Sequence, residues 1–150
     1  MPKFRFRFDR LIEVKEKLVE HKQREMEETA AEAVALAAEA DALGREISGH
    51  YDEMASRCIP GEEFSMLLGS VLYLDVQKAA VLKEKAGKDA RVDALRGELV
   101  GLMVELRVLD KLKIKAFHAA KKVLARKEQK LMDAMAARTA GGVQGQSGTA

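Results

Sequence analysis

The chain predicts an all-α fold, a long antiparallel two-helix coiled-coil hairpin with a disordered C-terminal tail. Three observations predict it. Of 150 residues, 33% are charged and 47% hydrophobic but only 5% aromatic, and Ala, Leu, Glu, Lys and Arg dominate, as in long helices and coiled coils. Only two prolines occur, Pro2 and Pro60. Apolar residues recur at seven-residue spacing on either side of Pro60, whereas a β-sandwich would show turn residues about every 8–12 positions. The length allows one domain.

Pro2 precedes any element. A first arm over about 8–56 carries Ile12, Val19, Met26, Ala33, Ala40, Ile47 and Met54 at strict heptad spacing, with Leu36 and Leu43 as companions. Lys15, Lys22 and Thr29 weaken this seam nearer the start. Proline removes a backbone donor and clashes with the preceding helical turn, so Pro60-Gly61 sets a turn at about 57–62. A second arm, about 63–138, keeps one alternating three–four register from Phe64 to Leu109. Eleven of its fourteen seam positions are apolar, and Lys78, Lys85 and Lys88 interrupt it. Such spacing over many heptads signals a coiled coil. Beyond Leu109 the stripe drifts to Phe117, Leu124 and Leu131, in the manner of a stutter. Residues 1–138 are thus read as a single hairpin. Residues 139–150, uncharged and glycine-rich, are read as a flexible tail.

Folding back at Pro60 pairs residues whose numbers sum to about 120. Lys78, Lys85 and Lys88 then face Asp41, Ala35 and Glu32, where their stems can snorkel along the seam. Opposite lies Ala30–Ala42, with eight alanines in thirteen residues, which permit close approach but bury little area. Gly97 and Gly101 are expected to serve close packing, and Gly69 and Gly87 to allow bending. The arms would measure roughly 73 and 115 Å. Phe4–Phe8 would then lie opposite Leu112–Phe117. The second arm would run on without a partner, bearing Phe117, Ala120, Leu124, Leu131 and Met135, a stripe suited to intermolecular docking.

Charge is segregated. Residues 1–24 carry a net +4, residues 25–63 a net −9, residues 64–106 balance, and residues 107–138 carry +7. On the hairpin both basic segments meet at the termini end, giving a positive foot and a negative tip. Such a foot can engage nucleic acid, anionic lipid or an acidic protein surface. The acidic middle and the lack of a recognisable binding fold argue against nucleic acid.

Chemistry is not expected of the chain: no phosphate loop, metalloprotease motif or nucleophile elbow occurs. No catalytic residue, cofactor or metal site is assigned. His21 with Glu25, and Glu46 with His50, sit at i,i+4 spacing and read as surface ion pairs. Cys58, the only cysteine, excludes a disulfide framework and reads as a small apolar turn residue. The start lacks the apolar run of a signal peptide. The longest uncharged apolar-rich run is Phe64–Leu74, short of the roughly 20 residues of a membrane span. A soluble protein of a reducing compartment is expected.

The opening Phe4-Arg5-Phe6-Arg7-Phe8-Asp9-Arg10-Leu11-Ile12-Glu13-Val14-Lys15, leading into a long charged helix, resembles the FliJ family of flagellar type III export proteins. So do the size, the central turn, and the second helix opening Glu63-Phe64 with Tyr73-Leu74 and Gln77 beyond. The resemblance covers residues 1–138. It implies an antiparallel two-helix stalk acting in flagellum biogenesis, and so in motility and chemotaxis. The stalk would be cytoplasmic and peripheral on the cell membrane at the flagellar base. Its implied partners are the ring of the export ATPase FliI, the export-gate protein FlhA and export chaperones. Carried onto this chain, the ATPase-docking end comprises Phe4, Phe8, Arg10, Phe117, Lys121, Lys122, Leu124, Arg126 and Lys127. The gate-contact face near the turn comprises Ile47, Tyr51, Leu67, Val71, Leu74 and Lys78, with Ala40 beside them. Several of these are also seam positions; Tyr51 lies off the seam register. Alternatives are the equivalent stalk of a virulence secretion system, or a membrane-surface or nucleic-acid-binding coiled coil using the basic end.

Overall fold

A computed structural model describes residues 3–146, with side chains to residue 142. Two helices account for the described chain, α1 (Asp9–Ser56, 48 residues) and α2 (Gly61–Gln146, 86 residues), and no strand occurs among the described residues. Contacts divide the chain into two units, residues 17–103 and residues 1–16 with 104–150.

In the unit of residues 17–103, α1 and α2 run antiparallel, joined through Arg57–Pro60. The Pro60 carbonyl accepts the first α2 bond, from Phe64 N at 3.0 Å. The turn is therefore shorter than the expected 57–62, because Pro60 itself serves as the helix start. Arg57 clips it, its guanidinium bonding Glu53 at 2.9 Å and Glu63 at 2.6 Å. Glu62 and Glu63 lie in the first turn of α2, where the helix dipole favours negative charge.

The heptads form the seam. Ala33, Ala40 and Ile47 are buried on α1, and Val19, Met26 and Met54 half-buried. On α2, Val71, Leu74, Leu95 and Leu99 are buried. Ile47, Val71 and Leu74 form one cluster, with Leu43 and Met54 packed against it. The pairing register near 120 holds in Lys22–Glu98 at 2.7 Å and Lys88–Glu32 at 2.6 Å. Arg91 bonds Glu25 at 2.8 Å, raising the Arg91 pKa and lowering that of Glu25, chiefly through that hydrogen bond. Glu25 is thereby paired across the seam and not with His21. His50 is half-buried at the companion position after Leu43, and its pairing with Glu46 does not occur.

Of the three seam lysines, Lys88 reaches across to Glu32 while Lys85 bonds Asp89 on its own helix at 3.0 Å. Lys78 lies over Gly44, where an added Cβ would come 3.1 Å from its Nζ. Gly97 and Gly101 do not serve close packing: an added Cβ at either meets nothing within 4 Å, because both face away from the seam. One 18-residue window of α2 reaches a mean hydropathy of 1.3, long and apolar enough for a membrane span by composition, with 11% of it buried. The expectation drawn from the shorter Phe64–Leu74 run missed this, because apolar residues continue past Asp75.

In the unit of residues 1–16 and 104–150, Ile12 is buried, and Leu106, Leu109 and Ala116 are half-buried on α2. Lys15 pairs with Glu105. The helix does not stop at Arg138. Thr139 Oγ1 donates to the Met135 carbonyl at 2.9 Å, and α2 runs to Gln146. Glycine lowers helix propensity by only about 1 kcal/mol per residue, which an already long helix tolerates. The expected flexible tail thus begins inside α2, and residues 147–150 of it lie outside the described residues.

Candidate docking surface

The aromatic start is tied to α2 by two devices. Phe4 meets the Phe117 ring edge-on at 5.4 Å. Asp9, in the first turn of α1, accepts the Phe6 N–H at 3.1 Å and the Lys113 ammonium at 2.8 Å. A carboxylate reaching back three residues to a free N–H is half of a capping box. The Lys113 hydrogen bond, with help from the Phe6 N–H, holds the Asp9 carboxyl below its ordinary value, and Asp9 in turn raises Lys113. Phe6 and Phe8 pack edge to face at 5.5 Å, and Arg7 lies over the Phe8 ring.

Phe4 and Phe117 form one wall of an open groove of about 580 Å³, completed by Lys3, Ala120, Lys121, Val123, Leu124 and Lys127. After Ala116 every described side chain of α2 is exposed, including Leu124, Leu131, Met132 and Met135. The unit carries a net charge of +8, against −6 for residues 17–103. An apolar floor with a lysine rim suits an acidic-rimmed apolar partner, because the charges steer and orient it while the floor supplies buried area. Among the described residues, no group of three His, Cys, Asp or Glu side chains is placed to hold a metal.

The groove gathers Phe4, Phe117, Lys121, Leu124 and Lys127 of the expected docking end. Phe8, Arg10, Lys122 and Arg126 are exposed but do not line it. Near the turn the expected gate face needs correction. Ile47, Val71 and Leu74 are at most 8% exposed and packed on one another, and Ala40 is 2% exposed. Heptad positions are consumed by the seam, so these side chains are closed to a partner while the helices are paired. Tyr51 is exposed, and Leu67 and Lys78 are half-buried.

Sequence reading missed Asp9 and Lys113, because Phe6 offers no capping oxygen and the ion pair depends on which residue of α2 passes the start of α1. It also missed Lys3 and Val123 as groove walls, which depend on where the N-terminal segment crosses α2, whereas Ala120 already stood in the apolar stripe expected to dock. One family model, described as flagellar FliJ protein, matches residues 4–145. No curated protein and no solved structure matches the chain.

Proposed function

This chain belongs to the FliJ family of flagellar proteins, a component of type III protein export, and from that premise we propose that it is a non-enzymatic stalk and adaptor of the export apparatus. The family match over nearly the whole chain carries the reading. The unit formed by residues 1–16 and 104–150 docks into the ring of the export ATPase FliI. The groove between Phe4, Phe117 and Leu124 takes an apolar element of the ring, and Lys121, Lys122, Arg126 and Lys127 engage acidic side chains around it. Near the turn, Tyr51, Leu67 and Lys78 contact the export-gate protein FlhA, and export chaperones are escorted between the two. The protein then works on the cytoplasmic side of the cell membrane at the flagellar base.

An exposed groove with basic rims on an otherwise bare helix supports ATPase docking. The test is co-purification of the chain with FliI at physiological salt, combined with swarming of a deletion strain. Retention on the ATPase and loss of motility are expected. Failure to associate together with intact motility overturns the assignment.

A further inference from the structure

Helix α2 is apolar on both sides just after the turn. Its seam side, Leu67, Val71 and Leu74, faces α1. At 3.6 residues per turn, the opposite side is formed by Ser65, Met66, Leu68, Gly69, Leu72, Tyr73, Val76, Ala79 and Ala80, none of them charged. Met66 is 75% exposed, Leu68 41%, Leu72 59%, Tyr73 64% and Val76 70%. A helix that is hydrophobic all round is normally covered all round, and here only one side is covered. We infer that this face, Met66 to Ala80, is a self-association surface that pairs with the same face of a second copy of this chain.

Three observations select a second copy as the occupant. The nine residues of the face carry no charge, Asp75 lying at its flank and Lys78 on the seam side, so two copies of the face meet without a like-charge contact within it. The neighbouring segment 25–63 carries a net −9, which disfavours an anionic lipid surface and, because both copies carry it, opposes pairing at low salt and less so once salt screens it. Ser65 and Gly69, one turn apart, let a second helix approach closely. The hairpin does not use Gly69, since an added Cβ there meets nothing within 4 Å. Taking about 200 Å² per large side chain, the five exposed residues offer about 600 Å² per copy. A two-fold contact then buries about 1,200 Å², the lower bound of specific interfaces.

The experiment is sedimentation velocity of the full chain over a concentration series, at low and high salt. A reversible dimer that holds or tightens from low to high salt is expected, because no ion pair forms the contact and the acidic segments of the two copies repel less when screened. Leu72→Glu, on an exposed position, weakens it at least 100-fold with helicity by circular dichroism unchanged. A Cys58→Ser, Leu72→Cys chain cross-links to itself on mild oxidation, since residues at the centre of a two-fold face meet their own copies. The Cys58→Ser, Val34→Cys control does not. A monomer at all concentrations, a dimer unaffected by Leu72→Glu, or one that dissolves with salt overturns the inference. So does flotation of the chain on zwitterionic vesicles without dimerisation, which would assign the face to a bilayer.

Discussion

The two units use one helix, α2, in opposite ways. In residues 17–103 the heptad stripe is consumed by pairing with α1, and seven of the eight buried apolar side chains lie there. In residues 104–150 the same kind of stripe continues through Leu124 and Leu131, yet among the described residues Ile12 is the one buried side chain of that unit, and past Ala116 every described side chain of α2 is exposed, Phe117 included although Phe4 packs against it. The difference shows that apolar periodicity marks a surface to be covered without saying by what. Where α1 supplies the cover the stripe is a core; beyond that cover it is an exposed apolar surface. Charge follows the same division, −6 against +8.

The contrast breaks first under truncation of equivalent leucines. Leu95 is fully buried, and Leu95→Ala is expected to cost about 2–5 kcal/mol, read by chemical denaturation. Leu124→Ala, on a 45% exposed side chain, should stay within about 0.5 kcal/mol of the parent. Equal losses would mean that residues past Ala116 are packed in solution. The second division, of charge, is sharpened by replacing Lys121, Lys122, Arg126 and Lys127 with Glu. Helicity should persist while association with the ATPase is lost, and unchanged binding would remove the basic groove from the mechanism.

Smaller effects probe how the start is held. Asp9→Asn removes the charge that holds both Phe6 N–H and Lys113. Faster hydrogen exchange of the α1 amides near Ile12 is expected, with the unfolding midpoint almost unmoved; protection unchanged there would show that the cap is dispensable. Acid should loosen both units. Asp9, Glu25 and Glu98 titrate below their ordinary 3.8 and 4.5, so their stabilisation is present above those values and lost as pH falls through the lower folded ones. Lys88 and Lys113 titrate above 10.5, so theirs is present below that value and lost at higher pH. Stability should be flat between pH about 5 and 10 and decline on either side. The smallest expected change is Gly44→Ala, a gain of under about 1 kcal/mol in thermal melts, because Lys78 is the one close neighbour and its end can shift.

Much of this was legible from residue spacing. The heptads Ile12 to Met54 and Val71 to Leu99 are covered as their periodicity predicts, and the register near 120 follows from placing the turn at Pro60. That register also anticipated Lys88 against Glu32 and Phe4 against Phe117. What stayed hidden depends on which way a residue faces when both faces carry similar residues. Gly97 and Gly101 look like packing glycines but point outward. Leu68, Leu72 and Val76 fall between seam positions, and a search for one stripe passes over a second. The end of α2 was misplaced because glycine composition reports propensity, and a helix already running past Arg138 outweighs it.

The central claim is that the bare basic end of α2, with the aromatic start bound beside it, is the part that engages the export ATPase. Its most direct test is the rate of ATP hydrolysis by FliI alone, with the full chain, and with the four-fold charge-reversed chain. The account predicts stimulation by the full chain and none by the reversed one. Equal rates in all three, or equal stimulation by both chains, would contradict it.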